Sequence, residues 1–102
     1  MFVVTKQEIF NRIGENRTAI GALGVRRFGL FGSFVKSEQT PESDIDLIVE
    51  FRPGAKSFDN FMKLSFLLEE ILGRKVDLLT RESLSPHIGP RILAEVEYGL
   101  ID

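Results

Sequence analysis

Two short apolar runs, Val25–Phe31 and Ile45–Phe51, stand on either side of a polar segment that contains Pro41. Each run is too short for a packed helix and rich in branched and aromatic side chains, the pattern of a buried strand. Gly32 closes the first, and Pro53 with Gly54 closes the second. Residues 33–43 allow only a turn or short helix and then a loop, so the two strands are expected to pair directly as a hairpin. A chain committed to that hairpin must cover it with whatever amphipathic segments remain.

Those segments read as helices. Thr5 followed by Glu8 has the form of a capping box, with Val3 and Val4 ahead of it. Ile9, Ile13, Ala19, Ile20 and Leu23 then predict a one-sided helix stopped by Gly24, although Gly14 and Gly21 weaken it. The longest predicted helix is Ser57 to Leu72, with Ser57 as cap and Gly73 as stop. Lys75 to Thr80 is a third short strand, and Pro90 opens a last helix through about Tyr98. The expected fold is α+β: a small mixed sheet with helices packed mainly on one face, in a single domain of 102 residues.

The 57–72 helix carries Phe58, Phe61, Met62, Leu64, Phe66, Leu67, Leu68, Ile71 and Leu72. That is broader than the stripe one helix turns inward. Either it is well buried in a phenylalanine-rich core, or part of it meets a partner or a second copy of the chain.

Composition narrows the chemistry. With no cysteine, disulfides and thiolate metal sites are excluded. A net charge of −2 argues against a grip on long nucleic acid, which wants a basic face. The N-terminal residues lack the pattern of a signal peptide, and no run approaches the roughly 20 apolar residues of a membrane helix. A cytoplasmic protein is expected.

Three features carry candidate chemistry, each with an ordinary structural reading beside it. Gly32-Ser33 follows a buried strand directly, where glycine lets backbone approach an anion and Ser33 opens a helical turn; it could equally be a plain strand-to-helix turn. Asp44 and Asp46 alternate at a strand start, so both carboxylates share a face. Two such charges suit Mg²⁺ together with substrate phosphates, or they are a solvated strand end with Ser43 as turn former. Asp77 sits inside an apolar strand, where an unpaired carboxylate is costly; it could be a third ligand, or lie on an exposed edge, or pair with Arg74 or Lys75. Together the three match two-metal phosphoryl chemistry.

The run GSFVKSEQTPESDIDLIVEF resembles the Gly-Ser, spacer, Asp-x-Asp signature of the polymerase-beta nucleotidyltransferase superfamily. In length and in its SDIDLIVEF ending it is most similar to minimal nucleotidyltransferases, among them antitoxins paired with HEPN-domain ribonuclease toxins. The resemblance runs from about Val25 to Tyr98. It implies that Gly32 and Ser33 hold a triphosphate, with Lys36 and Ser43 of the same motif beside the nucleotide. It implies that Asp44 and Asp46 bind Mg²⁺, two ions with ATP as substrate, and that Asp77 is the third carboxylate, placed to activate an acceptor hydroxyl. In such families AMP passes from ATP to a tyrosine of the toxin. Where relatives carry Arg-Gly, this chain has Lys36-Ser37, which keeps charge but loses the bidentate fork and glycine's freedom at positive φ. Two other functions stay open: an antitoxin that acts by occlusion alone, and nucleotidyl transfer to a small molecule. His87 has no candidate partner in sequence, Arg26-Arg27 and Arg52 read as solvated strand ends, and Tyr98 as packing.

Overall fold

The computed structural model describes residues 3–101. Ten elements follow in order: α1 (Lys6–Glu15), α2 (Arg17–Ala22), β1 (Val25–Phe31), α3 (Ser33–Lys36), β2 (Ile45–Phe51), α4 (Phe58–Leu72), β3 (Val76–Thr80), a 3₁₀ turn (Arg81–Ser83), α5 (Gly89–Glu95) and β4 (Glu97–Leu100). The sheet runs β3-β2-β1-β4. β1 pairs antiparallel with β2 and with β4, and β2 pairs parallel with β3 through the α4 crossover. The fold is a mixed α+β sheet, and the expected hairpin of β1 and β2 is present.

Alternation along the strands sorts the two faces. Ile45, Leu47 and Val49 of β2, with Val76 and Leu78 of β3, join the core formed with Ile9, Ile13, Ile20, Leu64, Leu68 and Leu72 of α1, α2 and α4. Asp46, Ile48 and Glu50 therefore face the opposite side, as does Asp77. On that side the β4 segment closes over β1: a Cβ added at Gly29 would stand 2.9 Å from Ile48 Cγ2 and 3.2 Å from Tyr98 Cε1.

Helix starts follow their caps. Thr5 Oγ1 accepts from Glu8 N–H at 3.2 Å, while Glu8 Oε1 reaches back to Val4 N–H at 3.3 Å. Ser57 Oγ accepts from Asn60 N–H at 3.1 Å. In α4 the buried stripe is Leu64, Leu68 and Leu72, four residues apart, whereas Phe58 and Phe66 are 77% and 63% exposed. The broad apolar surface of this helix is thus divided, one side in the core and one facing outward.

Four expectations are corrected. The first helix is two, because Asn16 leaves helical geometry (φ −111°, ψ 19°) and its side-chain amide bonds Arg12 C=O at 2.8 Å. The last helix stops at Glu95; Tyr98 lies in β4, opposite Gly29. Arg26 and Arg27 are not merely solvated: they grip Glu50, which is 8% exposed, with Arg26 Nη2 at 3.1 Å and Arg27 Nε at 2.9 Å. Burial pushes the Glu50 carboxyl up, but the hydrogen bonds from Arg27 and Arg26 outweigh it and hold the group below its ordinary value. Arg52 likewise spends its guanidinium on backbone, donating to Gly21 C=O at 3.0 Å.

Candidate active site

The end of the sheet where β1 stops and β2 begins brings the predicted residues together. Phe31, Asp46 and Asp77 form one rung across β1, β2 and β3. Neighbouring strands lie about 4.8 Å apart, so Asp46 and Asp77 are lateral neighbours on the face away from the core. Asp44 precedes β2 by one residue and lies 3.9 Å from Lys75 Nζ through its Oδ2. Among the described residues no ion pair joins Asp77 to Arg74 or Lys75: Lys75 lies nearest Asp44, and Arg74 grips the loop before it.

Gly32 ends β1 against this rung. Its backbone (φ 78°, ψ −150°) lies in a region essentially reserved for glycine. A Cβ there would collide with Asp46 Oδ2 and sit 3.0 Å from Asp46 Cγ. The conformation requires the glycine, and any side chain there would also push the Asp46 carboxylate from its place. Ser33 then opens α3, with Phe34 buried beneath.

Crowding is visible in the electrostatics. The Asp46 carboxyl is pushed up to about 6, first by burial and then by the charges of Asp77 and Asp44. Hard oxygen donors that repel one another fit a divalent cation, and Mg²⁺ characteristically takes one or two carboxylates plus substrate phosphates. Among the described residues no three His, Cys, Asp or Glu side chains converge enough to hold an ion by themselves. The residues that fit are the neighbours Asp46 and Asp77, with Asp44 at the end of the same strand.

The remaining motif residues fall differently. Ser43 Oγ accepts from Thr40 N–H at 2.8 Å and so helps close the loop. Lys36 Nζ lies 3.6 Å from Glu95 Oε1 of α5. Ser37 adopts the left-handed conformation (φ 59°, ψ 35°), alone among described non-glycine residues. The loop closes with the geometry a glycine would give, at a steric cost. Ser37→Gly is expected to stabilise the fold by about 0.5–1 kcal/mol, checked by the urea midpoint, with the loop unchanged. His87 lies in an exposed turn.

The family profile for the nucleotidyltransferase domain matches residues 13–98. The chain belongs to the nucleotidyltransferase family. It is 35% identical over 99 residues to the protein adenylyltransferase MntA of Thermococcus cleftensis, covering 96% of this chain and 99% of that one. It is 47% identical over 72 residues, 71% of this chain and 76% of the relative, to a Methanocaldococcus jannaschii protein named as a candidate protein adenylyltransferase. A solved toxin–antitoxin structure with AMP-PNP superposes with a TM-score of 0.66 at 21% identity, covering 93% of this chain and 72% of that one. No described helix is long and apolar enough to cross a membrane.

Proposed function

We propose that this member of the nucleotidyltransferase family transfers AMP from ATP to a tyrosine hydroxyl on a HEPN-type ribonuclease partner in the cytoplasm, acting as that toxin's antitoxin. The observation that carries the reading is the Asp46–Asp77 rung set against the Gly32–Ser33 turn. The names of its relatives and the fold shared with a nucleotide-bound toxin–antitoxin complex support the acceptor class.

The chemistry divides among the residues as follows. Gly32 and Ser33 present backbone and hydroxyl to the triphosphate, and the glycine leaves the Asp46 carboxylate in place beside them. Asp46 and Asp77, with Asp44, would hold Mg²⁺, which when bound supplies charge neutralisation for the triphosphate and the departing pyrophosphate. Asp77, on the exposed edge strand, takes the proton of the tyrosine hydroxyl. The phenolic oxygen bonds to the α-phosphorus, the bond to the α–β bridging oxygen breaks, and pyrophosphate leaves with that electron pair. A domain this small has little surface on which to build an acceptor site, so a partner supplies it.

Inhibition by occlusion alone is the second reading, favoured by exposed Phe58 and Phe66 on α4. Co-expression with the partner separates the two. Peptide mass spectrometry should find AMP on a partner tyrosine with wild type and none with Asp44→Asn, Asp46→Asn. An unmodified partner whose ribonuclease is silenced equally by both forms would leave occlusion.

A further inference from the structure

Arg74 contacts the loop before Asp44 and the helix that follows Gly32, and leads directly into β3, yet belongs to none of the site's motifs. It follows Gly73, the left-handed cap of α4, and stands two residues before β3. Its backbone is therefore fixed between two packed elements, next to Lys75, whose C=O accepts the Ile45 N–H at 3.0 Å as β2 begins.

From there the side chain reaches into the loop ahead of Asp44. Nη1 donates to the carbonyls of Ser43 at 2.8 Å, Thr40 at 3.1 Å and Pro41 at 3.2 Å. Nε donates to Val3 C=O at 2.7 Å. The guanidinium carbon lies 5.2 Å from the ring centre of Phe34, the buried residue directly after Ser33. One planar cation thus joins the Gly-Ser helix, the loop leading to Asp44 and the strand carrying Asp77. A loop rich in polar residues has no apolar anchor of its own, and its carbonyls need donors. A guanidinium offers several in a rigid fork, which a lysine does not.

We infer that Arg74 is a positioning residue: it sets the Asp44 end of β2 against the Asp77 strand and so fixes the spacing on which cation and nucleotide binding depend. This rests on the nucleotidyl-transfer reading of the same site. Residues that orient ligating carboxylates without touching the ion typically alter metal affinity by about 10–100-fold when replaced.

The test uses the full chain as Arg74→Gln and, as the conservative variant, Arg74→Lys, which keeps the charge should the neutral variant fold poorly. Amide hydrogen exchange without metal should accelerate at least about tenfold at residues 40–46 in both, and less for lysine, while α1 and the middle of α4 keep wild-type protection. Mn²⁺ titration followed by water-proton relaxation should show at least about tenfold weaker binding in Arg74→Gln, partly restored in Arg74→Lys. Uniform acceleration across the chain would reduce Arg74 to general stabilisation and overturn the proposal. So would wild-type Mn²⁺ affinity in Arg74→Gln. A wild type that binds no Mn²⁺ and transfers no nucleotide would instead overturn the function reading, which the wild type alone decides.

Discussion

Replacing Asp46 by Asn is expected to abolish nucleotidyl transfer and, at the same time, to stabilise the metal-free protein at neutral pH. The loss follows from removing a central carboxylate of the rung. Charge stabilisation of several kcal/mol is at stake, or on the order of 10³-fold in rate. The gain follows from the crowding of three carboxylates. Asp46 titrates at about 6, raised from its ordinary value of 3.8 by burial, Asp77 and Asp44. A carboxyl whose folded value is raised favours the fold while protonated, so its contribution is full below about pH 4 and is lost as pH rises through about 6. In EDTA the wild type should lose melting temperature between pH 5 and pH 7.5 relative to Asp46→Asn, which has no carboxyl at position 46 to ionise. Added Mg²⁺ should restore the wild type and leave the variant nearly unmoved. Parallel pH profiles for the two proteins would show that Asp46 is not under this strain.

Gly32→Ala carries the second large effect. The new methyl group meets Asp46 Oδ2, and the backbone at φ 78°, ψ −150° disfavours any side chain. The conformational cost alone is about 1–3 kcal/mol, and each kcal/mol moves the midpoint of a domain this size by about 4–8 °C. The collision is relieved by moving the Asp46 carboxylate aside, so the conformational cost sets a fall on the order of 10 °C, with activity reduced further than stability explains because the displaced group is a proposed ligand. Gly54→Ala separates the contributions. Gly54 also has positive φ, at 79°, but nothing lies within 4 Å of an added Cβ. It should cost stability and leave transfer intact. Equal losses of transfer in both variants, at a temperature where both are folded, would remove Asp46 from the explanation.

The parts of the fold that could be read from sequence are those decided by local rules. Thr5 and Ser57 announced their helices because a hydroxyl three residues ahead of a free N–H satisfies it wherever the helix later packs. Strands β1 and β2 were legible because most of each is apolar and buried, Phe28 to Phe31 in one and Leu47 to Val49 in the other. β4 was not. Its four residues are too few to establish a period in sequence, and Gly99 belongs there because the Phe28 ring occupies the space a Cβ would need, 2.6 Å away. That is a fact of tertiary contact, invisible along the chain, and Pro90 pointed instead to a helix running on.

The site divides the same way. Period-two alternation placed Asp44 and Asp46 at one strand end, but the register that sets Asp77 beside Asp46 depends on the α4 crossover. The roles of Arg26, Arg27 and Arg74 were hidden for a related reason. Their partners, Glu50 and the carbonyls of residues 40–43, lie more than twenty residues away and carry no local signal. Ser37 shows the reverse: its departure from a glycine was plain in sequence, and its geometry shows that the loop keeps the glycine-like conformation regardless.

The most direct measurement of the central claim is transfer of label from ATP in the presence of Mg²⁺ to the co-purified partner, comparing α-labelled with γ-labelled nucleotide. The account expects label from the α position only, on a discrete partner band, with pyrophosphate released and both lost in Asp44→Asn, Asp46→Asn. Label from the γ position, or α-label that persists when both carboxylates are gone, would contradict it.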